Sequence, residues 1–252
     1  MKPMLAKKYN GQDVTGWLMS EKLDGVRAIW TGSELISRAG NKFFAPEPFT
    51  AKLPRGAMLD GELYMGRGKF QATVGIVRKH TPLEAEWKDI RYCVFDAPKI
   101  QGGFEARLEF CSEVLKGIDT AMAVAHIPCK NTDHLENFFD ELCSLGAEGI
   151  MLRRPNSDYE PCRSGNLLKY KPFMSDEAEV VGYENGKGRL ADSIGAVICS
   201  WKNILIKLGS GLSDSQRRRP PAIGAHVTFK FQELTDGGIP RFPVFLAERN
   251  YE

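Results

Sequence analysis

The sequence predicts an α+β protein of two domains, in which a mixed domain with antiparallel sheets is followed by a small β-barrel. Three observations support this prediction. Strand and helix patterns alternate up to Lys171. Pro172 interrupts the alternation, and short strand patterns with almost no helix follow it. The length of 252 residues is sufficient for one large domain or two.

The first domain, residues 1–172, combines strands with three helices. Apolar runs predict strands at Trp17–Glu21, Val26–Trp30, Glu34–Arg38, Met58–Met65, Arg91–Asp96, Glu148–Arg153 and Asn166–Lys171. Helical spacing of apolar residues predicts helices over 69–80 and 105–116. A third helix has Thr132 as its expected N-cap and Gly146 as its stop.

The second domain, residues 178–252, follows a predicted hinge at 173–177. Strands are predicted at Ala178–Tyr183, Gly195–Ser200, Ile204–Leu208, His226–Gln232 and Phe242–Glu248, with a helical turn or more over 213–219. Turn signals separate them at Asn185-Gly186, Lys202-Asn203 and Asp236-Gly237-Gly238. Short strands with one small helix suit an OB-type barrel, and a generic small sandwich is the alternative.

The composition bears on three classes of function: polyanion binding, zinc binding, and membrane insertion or export. The net charge of +2 is too close to neutral to indicate a polyanionic partner, so a nucleic-acid binder would have to concentrate its lysines and arginines on one face. The six cysteines form no Cys-x-x-Cys pair, and no zinc site is expected. No apolar run approaches the roughly 18 residues of a membrane span, and residues 1–20 resemble no signal peptide. We therefore expect no membrane partner, and the chain as given shows no export signal.

Lys22 lies where the first predicted strand ends, just before a turn at Asp24-Gly25. A lysine attacks only when it is neutral, and its ordinary pKa of about 10.4 keeps it protonated at neutral pH. An attacking lysine therefore needs burial or nearby cations. Asp24 could orient its ammonium group. The Lys-x-Asp-Gly motif is short, and a solvated hairpin is the alternative interpretation.

Four further charged residues interrupt predicted strands: Glu62, Glu148, Lys169 and Lys171. Each of them alone would more often be a solvated residue at a strand edge. Lys169 and Lys171 alternate along one strand and therefore share one face. With Phe95 as an aromatic surface for a purine, the set supplies cations for phosphates and carboxylates for a metal.

Seven short blocks occur in a definite order along the chain. They are Glu21-Lys22-Leu23-Asp24-Gly25-Val26-Arg27, Ser37-Arg38 with Gly40, Asp60-Gly61-Glu62-Leu63, Val94-Phe95-Asp96, Glu148-Gly149-Ile150-Met151-Leu152-Arg153, Leu168-Lys169-Tyr170-Lys171-Pro172, and Arg241-Phe242-Pro243 with Arg249. In this order they resemble motifs I, Ia, III, IIIa, IV, V and VI of the covalent nucleotidyltransferase superfamily, and within it the ATP-dependent DNA ligases. The small size is similar to the minimal bacterial ligases of the E type. One departure is that Asn250-Tyr251-Glu252 follow Arg249, where many relatives end with Asp-Lys.

The resemblance implies an adenylation domain followed by an OB-fold domain that closes over it about the hinge. It implies ATP-dependent sealing of nicks in double-stranded DNA by a monomer, with Mg²⁺ as the metal and Mn²⁺ as an alternative. Lys22 would attack the α-phosphate of ATP and form lysyl-AMP. The AMP would pass to the 5′-phosphate at the nick, and the 3′-hydroxyl would then displace it.

The resemblance also implies residue roles. The catalytic set is Lys22, Asp24, Lys169 and Lys171. Lys169 and Lys171 would neutralise the α-phosphate and help to lower the pKa of Lys22. The nucleotide would contact Glu21, Lys22, Arg27, Arg38, Glu62, Phe95, Glu148, Lys169 and Lys171. Within that set Glu62 would hold the ribose, Phe95 would stack on adenine, and Glu148 with Glu62 would hold the metal. DNA would contact Arg38, Arg217, Arg218, Arg219, Arg241 and Arg249, and a solvated loop is the alternative interpretation for residues 217–219.

Three other functions remain open at this point. An RNA ligase would share ATP and the chemistry, whereas a capping guanylyltransferase would use GTP and an RNA 5′-diphosphate end. A non-catalytic OB-fold DNA-binding module would form no nucleotide adduct. For localisation, the resemblance suggests the periplasm after removal of a leader, with the cytoplasm as the alternative.

Overall fold

The computed structural model describes residues 2–235 and 237–249. The chain divides into two compact units, Met1–Lys171 and Pro172–Glu252. Each unit has a hydrophobic core of its own. The helices and strands agree with the predicted α+β class.

The first unit contains the following elements in its described residues. Its strands are β1 (Leu5–Lys8), β2 (Leu18–Glu21), β3 (Val26–Trp30), β4 (Leu35–Ser37), β5 (Leu59–Tyr64), β6 (Arg91–Asp96), β7 (Ala121–Ala123), β8 (Ile127–Pro128), β9 (Ile150–Arg153) and β10 (Arg163–Tyr170). Its helices are α1 (Glu47–Thr50), α2 (Phe70–Val77), α3 (Glu84–Trp87), α4 (Phe104–Val114) and α5 (Thr132–Ser144).

Two five-stranded sheets build this unit. One has the strand order β1-β10-β9-β2-β8 and the other β4-β3-β5-β6-β7. The strand pairs are antiparallel except for β1 with β10 and β6 with β7. The first sheet packs on a cluster that includes Met19, Ile150 and Phe139, which lies on the apolar face of α5. The second packs on a larger cluster around Trp30 and Tyr92.

The second unit is a small barrel-like sheet. Its elements are β11 (Met174–Asn185), a 3₁₀ turn (Gly188–Leu190), β12 (Ile194–Trp201), β13 (Ile204–Leu208), α6 (Asp214–Arg218), β14 (His226–Phe231), β15 (Glu233–Leu234), β16 (Pro240–Arg241) and β17 (Val244–Glu248). The main sheet has the order β13-β12-β11-β14-β17. A parallel bridge between Ser210 and Val244 joins the segment after β13 to the last strand. This bridge connects the two edges of the sheet, as expected for a small barrel.

Several details differ from the sequence-based expectations. The N-cap of α5 is Asn131, whose side chain accepts a hydrogen bond from the backbone of His134, and Thr132 is the first helical residue. Residues 174–177, which we predicted as hinge, belong to β11, because that strand begins at Met174. Hinge motion itself stays a prediction. The patterns did not indicate β1, β7, β8, α1 or α3, each of which has four residues or fewer.

The predicted turns have different outcomes. Lys202 and Asn203 both have positive φ, 49° and 63°, as a tight hairpin turn requires. After Asn185 the chain forms the 3₁₀ turn before it enters β12. Asp236 of the third predicted turn lies outside the described residues. No helix in the described ranges is long and apolar enough to cross a bilayer.

A buried ion cluster around Asp96 fastens three elements of the first unit together. Asp96, at the end of β6, accepts hydrogen bonds from Arg107 Nε of α4 at 2.6 Å and from Arg153 Nη2 of β9 at 2.5 Å. All three side chains are at most 4% exposed. Charges this deeply buried persist only when they are paired.

We expect Asp96→Asn to lower the free energy of unfolding by about 3 kcal/mol or more, because it leaves two buried guanidinium groups uncompensated. Urea denaturation followed by tryptophan fluorescence measures this change. Glu113→Gln is the matched control, since its ion pair with Lys116 is exposed and should contribute little. Equal effects of the two substitutions would contradict this account.

Candidate active site

A cavity of about 1170 Å³ lies in the first unit and is lined by residues of both sheets. Strands β2, β9 and β10 supply one wall in register. Ser20 is opposite Met151, and Met151 is opposite Lys169. Side chains in such a row lie on one face of the sheet, and all three line the cavity. The next row on the same face pairs Arg153 of β9 with Leu167 of β10, and both residues also line the cavity. We call the part of the cavity beside this row its far end.

Lys22 lies at the near end of this wall, immediately after β2. Its backbone N–H donates to the carbonyl of Gly149 at 2.9 Å, which extends the strand pairing by one residue. Its Nζ forms an ion pair with Oε2 of Glu148, while Oε1 of the same carboxylate pairs with Nζ of Lys171. These three side chains are 12–22% exposed. One carboxylate therefore holds two ammonium groups side by side.

The charges of this group shift its acid–base equilibria. Burial would raise the pKa of Glu148, but attraction to Lys22 and the hydrogen bonds from Lys171 and Lys22 outweigh burial and hold that pKa below its usual value. Burial first, and then the charges of Lys171 and Lys22, lower the pKa of Lys169. Three lysines and one carboxylate leave an excess of positive charge, which suits a bound phosphate.

Gly149 sets the position of Glu148. Its φ of +137° lies in a region that L-residues rarely adopt, and a Cβ at this position would be 2.2 Å from the carbonyl oxygen of Tyr170. The backbones of β9 and β10 can approach this closely only because position 149 is a glycine. That approach brings Glu148 next to Lys171.

A second polar group forms the opposite wall of the cavity. Arg27 on β3 donates from Nε to Oδ1 of Asp60 at 2.8 Å and from Nη2 to Oδ2 at 2.5 Å. The buried Asp60 also accepts a hydrogen bond from the hydroxyl of Tyr159 at 2.7 Å. The Arg27 guanidinium lies 5.0 Å from the centroid of the Phe95 ring. Arg27 therefore supports this wall of the cavity and lies against its aromatic face.

Glu62 faces the same space from β5. Burial is the main cause that raises its pKa to about 8, although Lys22 and Arg27 act in the opposite direction. At neutral pH this carboxyl group is therefore largely protonated and can donate a hydrogen bond. A sugar hydroxyl is a suitable partner for such a group.

Comparison with known proteins agrees with this geometry. Residues 3–171 match the ATP-dependent DNA ligase domain, and residues 185–249 match the DNA ligase OB-like domain. A DNA ligase of Haemophilus influenzae is 35% identical over 248 residues, which cover 98% of this chain and 91% of that protein. The chain belongs to the family of ATP-dependent DNA ligases.

Solved structures place it further within that family. A structure from a study of DNA binding by the minimal scaffold of Lig E DNA ligases is 36% identical, with a TM-score of 0.77 and 99% of both chains covered. The Chlorella virus DNA ligase-adenylate, at 24% identity and a TM-score of 0.59, shares the fold. The protein is thus an ATP-dependent DNA ligase that is similar in sequence and fold to the minimal Lig E ligases. The RNA ligase, capping-enzyme and binding-module alternatives are set aside.

Most of the predicted nucleotide-contacting residues of the ligase lie together. The cavity is lined by Glu21, Lys22, Arg27, Arg38, Glu62, Phe95 and Lys169, and Glu148 and Lys171 join them through Lys22. Glu21 is held by a bidentate ion pair with Arg67 at 2.7–2.8 Å. The predicted role of Asp24 in orienting Lys22 stays a prediction, and a carboxylate in contact with Nζ is that of Glu148. The functional role of each residue is a proposal.

The predicted DNA-binding arginines of the second unit differ in their surroundings. Arg217 donates to the carbonyls of Ile194, Gly195 and Gly209 at 2.7–3.3 Å, so the structure uses its guanidinium to tie α6 to neighbouring backbone. Arg218 and Arg219 are exposed.

The remaining two predicted DNA contacts also lie in the second unit. Arg249 pairs with Glu177 at 2.8 Å and bonds to Thr228 at 3.0 Å. Arg241 is exposed and lies 5.8 Å from the Phe242 ring centroid. The residues after Arg249, where the sequence departs from motif VI of its relatives, lie outside the described part of the chain.

The polar residues of the ligase cavity that sequence reasoning missed include His126, Arg153 and Tyr159. Arg153 ends the block that begins at Glu148, and its position two residues after Met151 on one strand was a signal that it faces the same side. His126 and Tyr159 lie in irregular segments with no motif, so only tertiary contacts bring them to the cavity.

We expect Gly149→Ala to destabilise the ligase by at least about 1–3 kcal/mol and to reduce adenylate formation, because the new Cβ would collide with Tyr170. Thermal melting and incorporation of labelled AMP test this. Gly182→Ala is the control, since no atom lies within 4 Å of its new Cβ. Wild-type melting and labelling in the Gly149 variant would contradict this assignment.

Proposed function

We propose that Lys22 is the residue that carries AMP in this ligase and that the protein seals nicks in duplex DNA. The observation that carries the proposal is the ion pair of Lys22 with Glu148 at the wall of the cavity, beside two further lysines. A nucleotide α-phosphate at this point would meet the ammonium groups of Lys169 and Lys171 beside the nitrogen of Lys22. The nitrogen of Lys22 would be the nucleophile closest to the phosphorus.

Each step then has a residue assigned to it. The Lys22 ammonium group first loses one proton, because only the neutral amine can attack. Its nitrogen then forms a bond to the α-phosphorus as the bond to pyrophosphate breaks, and a second proton leaves the nitrogen to give the phosphoramide. Lys169 and Lys171 stabilise the charge that develops on the phosphate oxygens. Glu62 holds the ribose, and Phe95 stacks on the adenine. The AMP then moves to a DNA 5′-phosphate, where Arg38 contacts the backbone, and the 3′-hydroxyl displaces it.

The donor set is compatible with Mg²⁺, which is usually bound through one or two carboxylates together with substrate phosphates. Glu148 and Glu62 would be those ligands, and Glu62, whose pKa is raised to about 8, would have to lose its proton when the metal binds. No group of three or more His, Cys, Asp or Glu forms a ready site among the described residues. When bound, Mg²⁺ would neutralise phosphate charge, and Mn²⁺ would serve as an alternative.

We further propose that the enzyme acts as a monomer. Residues 1–172 would be the adenylation domain, 173–177 the hinge and 178–252 the OB-fold domain. The exposed Arg218 and Arg219 would hold the DNA backbone, and Arg241 and Arg249 would contact the substrate when the domains close.

Lys22→Ala should abolish both the AMP adduct and the sealing of nicked DNA with ATP, while sealing of a nick that is already adenylated should persist. The reason is that only the first step needs the amine. Intact mass and denaturing gels provide the two measurements, with Lys52→Ala, an exposed lysine, as the control. A Lys22→Ala variant that seals an unadenylated nick would show that another group carries the nucleotide.

Arg218→Ala and Arg219→Ala should each weaken binding to nicked duplex DNA and reduce the slope of log affinity against log salt by about 1, because each releases one phosphate contact. Arg217→Ala should instead lower the melting temperature, since it removes three bonds to carbonyls. Fluorescence anisotropy over a salt series measures the slopes. Unchanged slopes for both exposed arginines would remove them from the DNA interface.

A further inference from the structure

The far end of the cavity contains a buried hydrogen-bond donor without a partner. Arg153 is 4% exposed and lines the cavity. Its Nη2 donates to Asp96 at 2.5 Å and its Nη1 to the sulfur of Met4 at 2.8 Å, but its Nε has no hydrogen-bond partner. In the described residues, only Trp87 also has a buried side-chain nitrogen or oxygen of this kind, and Trp87 does not line the cavity. A buried donor left unpaired is costly, so a ligand that reached this N–H would relieve that cost.

His126 supplies an acceptor beside this donor. Its Nδ1 lies 2.8 Å from the carbonyl of Val124, and because a carbonyl only accepts, Nδ1 carries the hydrogen and Nε2 keeps a free lone pair in the neutral ring. Burial lowers the pKa of His126 to about 4, so the ring is neutral at pH 7. The imidazole and the Arg153 guanidinium both pack on Phe104, with separations of 5.2 and 4.6 Å from its ring centroid.

The position of this pair relative to Lys22 suits the base of a nucleotide. Gly149 pairs with Lys22, and Arg153 is four residues further along the same chain, which corresponds to about 13 Å in an extended strand. Met151 and Phe95 line the cavity as well, and Met151 lies between these two positions. A nucleotide with its phosphate at Lys22 and its base stacked on Phe95 would extend toward Arg153 and His126.

We propose that Arg153 and His126 read the Watson–Crick edge of the adenine, with Nε–H of Arg153 donating to N1 and Nε2 of His126 accepting from the N6 amino group. Adenine presents an acceptor at N1 and a donor at N6, which matches this pair. Guanine presents a donor at N1 and an acceptor at O6, so both contacts would be mismatched. The proposal rests on the proposed role of Lys22 and assigns the nucleotide specificity of that site.

The unaltered protein provides the decisive test through nucleotide analogues. Single-turnover adduct formation is followed by intact mass, at subsaturating concentrations of ATP, 1-deaza-ATP, 7-deaza-ATP and purine riboside triphosphate, which lacks the N6 group. We expect the 1-deaza and the purine analogues to react on the order of 10-fold or more slowly than ATP, because each leaves one buried group unpaired. The 7-deaza analogue should react like ATP. Equal rates for all four, or a loss with the 7-deaza analogue instead of the 1-deaza analogue, would overturn the proposal.

Two variants assign the contacts to residues. His126→Phe keeps an aromatic ring on Phe104, and it should remove the difference between ATP and purine riboside triphosphate. His80→Phe, which changes another histidine that lines the cavity, should retain that difference. Arg153→Lys keeps a positive charge for Asp96, and it should remove the penalty for 1-deaza-ATP. Analogue preferences that persist unchanged in both the His126 and Arg153 variants would contradict the assignment. A protein that forms no adduct even with ATP would refute the proposed function instead.

Discussion

The carboxylate that Lys22 and Lys171 share is the interaction on which the rest of the site depends. Glu148 brings two like charges together that would otherwise repel, and it remains ionised in spite of its burial because both ammonium groups favour its charged form. The result is a local excess of positive charge. Such a preorganised charge is what a transferring phosphate requires, because it needs no reorganisation when the reaction begins.

The fold around this carboxylate consists of features that permit close backbone approach and of buried pairs that resist distortion. Gly149 allows two strands to come closer than any other residue would permit. Two almost fully buried carboxylates hold arginines of neighbouring elements: Asp96 holds two and Asp60 holds Arg27. Both carboxylates line the cavity together with Tyr159, which donates to Asp60. The stability of the first unit and the geometry of its site therefore depend on the same ion pairs.

The long strands and most of the cavity residues could be predicted from the sequence, because both depend on patterns of residues that are close together along the chain. Val26–Trp30 and Arg91–Asp96 have the predicted bounds. Of the charged residues that interrupt strands, Glu62 and Lys169 line the cavity, and Glu148 and Lys171 are joined to it through the ion pair with Lys22. What the sequence did not provide depends on contacts between distant residues. The double pairing of Glu148 joins residues 126 positions apart. The N-cap at Asn131 was missed by one residue because Asn and Thr are both good caps. His126 has no motif, and its place beside Phe104 follows only from tertiary packing.

Of three neighbouring lysines, Lys22 is the one proposed to carry the nucleotide. The most direct measurement is tandem mass spectrometry of peptides from the protein after incubation with ATP and Mg²⁺, under conditions that preserve a phosphoramide bond. The account predicts AMP on the peptide that contains Lys22, with the modified side chain at that position. Modification of Lys169 or Lys171 with an unmodified Lys22 would contradict it.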